Sequence, residues 1–362
     1  MKIFDPISEH RTLSIMPTFR CTAECNHCGT MSSPRESTWL PLDDMLSAIN
    51  QAAGSGYEVV VFTGGEPTLA GKNLLTAIAE AVSLGLVVRI VTNAHWAKSE
   101  RAADNLVSKL VEAGLEEINF STGDQHSRFV PIENILHATR ASAKAKLRVS
   151  IMVETVKERT VTKEVLQGYP EFQQIIQDFQ NAWINIHESP WMPLSPSTVN
   201  DYPSNIVINE SNISSCKGCD SILSTTTVQA NGDIGACCGL GMRLIPELQL
   251  GNIRVTRLSQ ADQEAANDFL KRWIKVEGPE RILAWASTHD SEIKWEDMYA
   301  HRCQACLRLY TDPKVRKVIA EHYHEKMIDV AFSEYLLHHY SLEKDCSQNV
   351  KQEVEIEIGR EM

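Results

Sequence analysis

Three cysteines fall within eight residues near the start of the chain, in Cys21-Thr22-Ala23-Glu24-Cys25-Asn26-His27-Cys28. A loop that gathers three thiolates makes a metal site with one coordination position open. A four-iron cluster takes one thiolate per iron, so three cysteines leave the fourth iron free to bind something else. A structural zinc ion is the plainer use of clustered cysteines, but zinc sites usually pair them as two close couples. This loop offers a triplet. A second set lies further on: Cys219, then Cys237, then Cys303-Gln304-Ala305-Cys306. Four thiolates close a coordination shell, and spacing alone does not choose between zinc and an iron–sulfur cluster.

The three-then-two spacing resembles the cluster loop of the radical S-adenosylmethionine (SAM) superfamily. In that family an aromatic residue usually precedes the third cysteine, and His27 fills that place. A second match, Gly64-Gly65-Glu66-Pro67, resembles the family's methionine-binding turn after the second strand. The resemblance implies a [4Fe-4S] cluster on Cys21, Cys25 and Cys28, chelated at its fourth iron by S-adenosyl-L-methionine. It implies reductive cleavage of SAM to a 5'-deoxyadenosyl radical, which takes a hydrogen atom from the substrate. It also implies an external electron donor such as flavodoxin or ferredoxin. Gly64 and Gly65 would admit the methionine amine where a side chain would block it, with Glu66 and Pro67 in a loop expected to face solvent. Asn93 stands where the family often has a Thr-Asn-Gly turn, with Ala94 replacing the glycine. Ser121 matches a family serine after the fourth strand, and Asp124 a family aspartate, shifted by the intervening Gly123.

The second set resembles the auxiliary-cluster modules called SPASM and Twitch. Gly232 follows Cys219 after twelve residues and Cys237 comes after four more. Past Cys306 only Cys346 remains, so the shorter Twitch form fits. One auxiliary [4Fe-4S] cluster on Cys219, Cys237, Cys303 and Cys306 is implied, with a zinc knuckle on the same residues as the alternative. Cys216 is a possible replacement for Cys219. Cys238 follows a predicted ligand, so in a strand it would point to the opposite face. It is read as buried filler, as a further ligand, or as a catalytic hydrogen-atom donor on a hairpin roofing the barrel mouth.

These motifs need a scaffold that brings them to one end. Apolar runs at 13–19, 57–62, 87–91, 117–120, 148–153 and 183–187 alternate with amphipathic helical stretches. Leu42, Met45, Leu46 and Ile49 mark the first helix, and Leu106, Val107, Leu110 and Val111 a later one. Six strand–helix units predict an α/β fold with a parallel sheet. The family implies a partial (β/α)6 barrel, with functional loops at the carboxyl ends of the strands as in full barrels. The expected domains are the barrel at 1–195, a Ser/Asn/Pro-rich linker at 196–214 and the auxiliary module at 215–310. The module contains a hairpin turning at Asn231-Gly232. A helical segment at 311–346 and a charged tail at 347–362 follow.

Composition narrows the partners. A net charge of -12 argues against nucleic acid, which needs clustered Lys and Arg. No apolar run reaches membrane-span length and no signal peptide precedes the first strand, so a cytoplasmic protein is expected, without a membrane partner. Ten cysteines in such a chain read as metal ligands rather than disulfides. The resemblance favours a ribosomally made precursor peptide as substrate, epimerised or cross-linked. The alternative is a small-molecule dehydrogenase of a sugar or aminocyclitol pathway.

Overall fold

The computed structural model describes residues 11–26, 28–190, 192, 194, 201–337 and 339. His27, Cys346 and the charged tail lie outside them. The alternating pattern forms six parallel strands: β1 (Thr12–Ile15), β2 (Val59–Phe62), β3 (Val87–Thr92), β4 (Glu117–Thr122), β5 (Arg148–Thr155) and β6 (Ile184–Pro190). Between them run α1 (Leu42–Ala53), α2 (Lys72–Ser83), α3 (Glu100–Glu112), α4 (Ile132–Lys144) and α5 (Pro170–Asp178), with short turns of helix at Asp124–Ser127 and Lys163–Gly168. Each long helix buries one stripe; α1 buries Met45, Ala48, Ile49 and Ala52. That stripe packs on Leu13, Ile15, Val60 and Phe62, all with no exposed surface. Strand alternation sends the intervening residues to the face away from the helices. In register across the strands that face carries Ser14, Val61 and Arg89, and then Asn119 beside Ser150. An apolar outer face and a more polar inner one suit a barrel that holds a site inside.

The hairpin does more than roof the barrel. β7 (Thr225–Val228) pairs parallel with β1, β8 (Asp233–Gly235) and β9 (Gln249–Asn252) follow antiparallel, and the nine strands form one sheet ordered β6-β5-β4-β3-β2-β1-β7-β8-β9. Side chains lock the join: Tyr57 Oη lies 2.8 Å from Thr226 Oγ1 and 2.9 Å from the Asp262 carboxylate, to which Thr226 Oγ1 donates at 2.8 Å. The helices α6 (Leu258–Asn267), α7 (Phe269–Glu277), α8 (Pro279–His289), α9 (Arg302–Thr311) and α10 (Pro313–His322) then build the C-terminal lobe. The helical segment expected at 311–346 is interrupted, because a 3-10 turn at Tyr323–Lys326 follows α10. No helix among the described residues is long and apolar enough to cross a membrane.

Candidate active site

The cysteine loop leaves the carboxyl end of β1, and the Gly64–Pro67 turn leaves the neighbouring end of β2. The two run side by side: Gly65 N–H donates to Thr18 O at 3.0 Å and Glu66 N–H to Arg20 O at 2.8 Å. A Cβ on Gly65 would lie 2.1 Å from Arg20 O, and one on Gly64 2.9 Å from Thr18 O. The close approach that these glycines permit includes one between the backbones of the two loops.

Glu66 also departs from expectation. It is fully buried rather than solvent-facing. Its carboxylate accepts from Thr68 N–H (3.1 Å), Thr68 Oγ1 (2.6 Å), Thr92 Oγ1 (2.8 Å) and Asn93 N–H (2.9 Å). It thus ties the β2 turn to the end of β3, and Pro67, also buried, opens the 3-10 turn that follows it. Asn93 carries the chain of contacts onward, since its Nδ2 donates to Thr22 Oγ1 at 3.1 Å and lies 3.5 Å from Cys21 Sγ. Ala94 has φ of 58°, in the left-handed region where glycine is at no disadvantage. That geometry explains why a glycine is usual at this turn.

After β4 the residues sort differently from the sequence reading. Ser121 sits half-buried near the end of the strand. The Asp124 carboxylate accepts from the backbone N–H groups of Thr160 and Val161 at 2.9 and 3.1 Å. Burial raises its carboxyl pKa, but the Thr160 hydroxyl, which also donates to it, and these N–H groups outweigh that and hold it below the usual carboxylate range. It braces the loop after β5 instead of being free for a ligand. The acid beside the cysteine loop is Glu154, which the sequence reading missed. Glu154 is buried near the end of β5, accepts from Gln125 N–H, and lies 2.9 Å from His126 Nδ1. Gln125 O in turn lies 3.9 Å from Cys25 Sγ. Gly123 permits this, because its Cβ would overlap Glu154 Cγ at 2.2 Å.

Burial and negative neighbours shape the thiols. Burial pushes Cys21 up to about 11, with Glu66 and Cys28 adding to it. Burial pushes Cys25 up to about 12, with Cys28 and Glu154 adding to it. Cys21 and Cys25 therefore stay protonated unless a cation compensates them, and three sulfurs in one loop are a donor set that a metal cluster fits.

The second set of cysteines converges on one cavity of about 530 Å³, lined by Cys216, Cys219, Cys237, Cys238, Cys303 and Cys306. Cys303 and Cys306 share one face of α9, whose first turn is capped by His301 Nδ1 accepting from Cys303 N–H at 3.1 Å. Cys219 N–H donates to Ile274 O at 3.0 Å, and a Cβ on Gly218 would meet Lys275 O at 2.0 Å, so α7 fixes that end. Gly239 stands between two sulfurs, its Cβ position being 3.3 Å from both Cys237 Sγ and Cys303 Sγ. Burial pushes Cys303 up to about 12 and raises Cys237 and Cys306 well above an ordinary thiol.

A single tetrahedral zinc with bonds of about 2.3 Å would bring sulfurs to about 3.8 Å from one another. Among the described residues no three cysteine sulfurs come within 4.8 Å of one another. A lone ion also fills little more than one water's share, about 30 Å³. The wide spacing and the large cavity fit a multi-iron cluster better than a zinc knuckle. Cys238 does not sit opposite Cys237: both lie beyond the end of β8, where strand alternation no longer applies, and both line this cavity. Cys238 Sγ lies 3.2 Å from Ser221 Oγ, and the residue is exposed. The two sites abut. Gly241 N–H donates to Gly29 O at 2.9 Å, Arg243 donates to Thr30 O at 2.6 Å, and its guanidinium lies 3.5 Å above the Phe19 ring.

Residues 15–164 match the model of the Radical SAM superfamily. This stretch is a radical SAM domain. Membership implies a [4Fe-4S] cluster and SAM, and the matched span holds the cysteine loop, the β2 turn, Asn93, Ser121 and Glu154. YydG of Bacillus subtilis (strain 168), provisionally named a peptide biosynthesis protein, is 26% identical over 135 residues, 36% of this chain and 42% of its own. The PqqA peptide cyclase of Rhodopseudomonas palustris (strain ATCC BAA-98 / CGA009) is 31% identical over 105 residues, 29% of this chain and 26% of its own. The chain thus matches less than half the length of either relative. The solved structure of native anSMEcpe with bound AdoMet superposes with a TM-score of 0.50 at 12% identity, covering 90% of this chain and 99% of that one. This likeness supports the fold, a radical SAM barrel continued by a C-terminal lobe.

Proposed function

We propose that this protein is a radical SAM enzyme that abstracts a hydrogen atom from a ribosomally made precursor peptide, in the cytoplasm, to epimerise or cross-link it. The observation that carries the reading is the convergence of Cys21, Cys25 and Cys28 with the Gly64–Pro67 turn at one end of the sheet, against a second cavity of cysteines. Cys21, Cys25 and Cys28 would hold the first cluster, and Cys219, Cys237, Cys303 and Cys306 the auxiliary one. When bound, the first cluster with SAM supplies one-electron reduction and hydrogen-atom abstraction. The chain's own part is positional. Glu66 and Asn93 fix the cysteine loop, the paired glycines let the two loops close on each other, and Arg243 sets a cation beside Cys28. The inner polar face of the strands and Ser121 would line the SAM pocket. An external flavodoxin or ferredoxin would deliver the electron. The peptide substrate is favoured by the two relatives named for peptide chemistry.

The test is anaerobic reconstitution, with iron counting, followed by SAM cleavage in the presence of a precursor peptide encoded beside the gene. About eight irons per chain are expected, falling to about four when Cys21, Cys25 and Cys28 are all replaced by alanine. The triple variant should release no 5'-deoxyadenosine. In heavy water an epimerised residue gains one deuterium from a solvent-exchanging thiol, with Cys238 as the candidate donor, whereas a cross-link removes two hydrogens. SAM cleavage by the triple variant would refute the site. An intact site that oxidises an aminocyclitol alcohol and leaves every peptide unchanged would replace the peptide with the small-molecule reading.

A further inference from the structure

Away from both cysteine sites, three side chains converge where the ends of α8 and α10 meet. His289 is the last residue of α8, His322 the last of α10, and Glu325 lies in the turn after it. His289 Nε2 is 3.3 Å from one Glu325 oxygen and His322 Nδ1 is 3.1 Å from the other. The imidazoles stack with centroids 4.3 Å apart and planes 26° from parallel. Among the described residues this is the one set of three such ligand atoms that all lie within 4.8 Å of one another.

We propose that His289, His322 and Glu325 form a binding site for a divalent transition ion of the zinc class. Ligand bonds of about 2.0–2.1 Å in a tetrahedron put the ligand atoms about 3.3 Å apart; the two nitrogen-to-carboxylate distances here are 3.3 and 3.1 Å, and the three ligand atoms lie within 4.8 Å of one another. Two imidazoles and one carboxylate suit zinc, and not calcium or magnesium, which prefer oxygen ligands. Without an ion, His322 Nδ1 faces one carboxylate oxygen as a hydrogen-bond donor and His289 Nε2 lies beside the other. With one, each neutral ring keeps its proton on its other nitrogen, the two nitrogens that face Glu325 coordinate, and a water completes the shell. The rings are already aligned, so little side-chain freedom is lost on binding. Trp285 holds the His289 ring edge-on at 4.8 Å and packs in the same way on buried Trp273. The ion would staple the end of α8 to the end of α10, and α8 begins at Pro279 and Glu280 on the wall of the cysteine cavity. The inference uses no cysteine and stands apart from the proposed peptide chemistry.

The experiment uses the full chain with its clusters loaded, zinc added as the probe, iron measured in parallel, and X-ray absorption at the zinc edge, which is blind to iron. Wild-type protein should retain one further zinc after desalting, with a nitrogen/oxygen shell at about 2.0–2.1 Å and no sulfur at about 2.3 Å. Its melting temperature should rise with zinc concentration, since an ion that binds only the folded state stabilises it. The His289→Ala/His322→Ala double variant should lose both effects with unchanged iron. Should that variant misfold, His289→Gln, which keeps a hydrogen-bond donor toward Glu325, should lose the zinc with a wild-type melting temperature. A sulfur shell, or zinc retained equally by the variants, overturns the site. Failure of wild type to retain more zinc than the double variant does the same.

Discussion

Glu66→Gln separates a ligand-binding role from a structural one, and its cost follows from the hydrogen bonds. One carboxylate oxygen accepts from Thr68 N–H, Thr68 Oγ1 and Thr92 Oγ1, and the other from Asn93 N–H. Glutamine keeps the shape but turns one acceptor into a two-proton donor. If its oxygen serves Asn93, the Thr68 hydroxyl can turn to accept, but Thr68 N–H is orphaned and Thr92 Oγ1, which already accepts from Ala94 N–H and Trp96 Nε1–H, loses its acceptor. If its oxygen serves the threonines, two N–H groups face each other at Asn93. Either way a buried donor is left unmade, at about 1–3 kcal/mol, and charge-assisted bonds become neutral ones, for a total of about 2–4 kcal/mol. At an unfolding entropy of about 2.1 cal/mol/K per residue, 362 residues give roughly 0.76 kcal/mol/K. The melting temperature should therefore fall by about 3–5 °C. The assay is thermal unfolding of cluster-free, SAM-free protein, where no ligand effect can contribute. A variant that melts with wild type there, yet binds SAM poorly when loaded, would refute this reasoning and return Glu66 to direct contact with the cofactor.

Ala94→Gly should raise stability by about 1 kcal/mol, because the left-handed conformation costs alanine about that much; unchanged denaturant midpoints would mean that the turn relaxes without strain. The cysteine loop should make cluster-free, reduced protein labile to alkali. Cys21 and Cys25 keep their protons up to about 11 and about 12 when folded, against 9.0 for an ordinary thiol. The stability from their neutral forms is thus complete below about pH 9 and is lost as pH rises through the folded values. Urea midpoints should fall between about pH 9 and about pH 11, and fall less when the three cysteines are replaced by alanine. Equal slopes in the two proteins would refute it.

What was legible in the sequence was local. The strand–helix alternation is set by periodicity within a dozen residues, and the triplet of cysteines declares itself by spacing alone. The need for glycine at 64 and 65 was also visible, but its cause was not, because the Arg20 and Thr18 carbonyls that exclude a side chain belong to another loop. Glu66 looked exposed for the same reason: its partners Thr92 and Asn93 come from the end of β3. Glu154 was missed, though an acid near the carboxyl end of a predicted strand is a usable signal in a barrel. Asp124 drew attention by family analogy, and only the fold shows its oxygens committed to the loop at Thr160 and Val161. Only the opposite-face placement expected for Cys238 fails, since strand alternation does not extend past the end of β8 at Gly235.

The contact between the two cysteine sites explains why the second module extends the barrel's own sheet. β1 has two neighbours in register, β2 and β7. The cysteine loop leaves its carboxyl end, and β7 runs parallel to it into the hairpin that ends at Cys237 and Cys238. The chain then turns back over the first loop, with Gly29 so close that a Cβ there would overlap Leu240 Cδ2 at 2.3 Å. Leu240 itself lines the cysteine cavity, so this one side chain meets both the first loop and the cavity wall. Arg243, three residues on, stacks on Phe19 and donates to Thr30 O. Pairing on β1 thus fixes the height of both sites with the same backbone hydrogen bonds. A module joined by a flexible linker would leave their separation to vary. Were both cysteine sets to hold clusters as proposed, electron exchange between them would need a constant distance, which a shared central strand would help to fix.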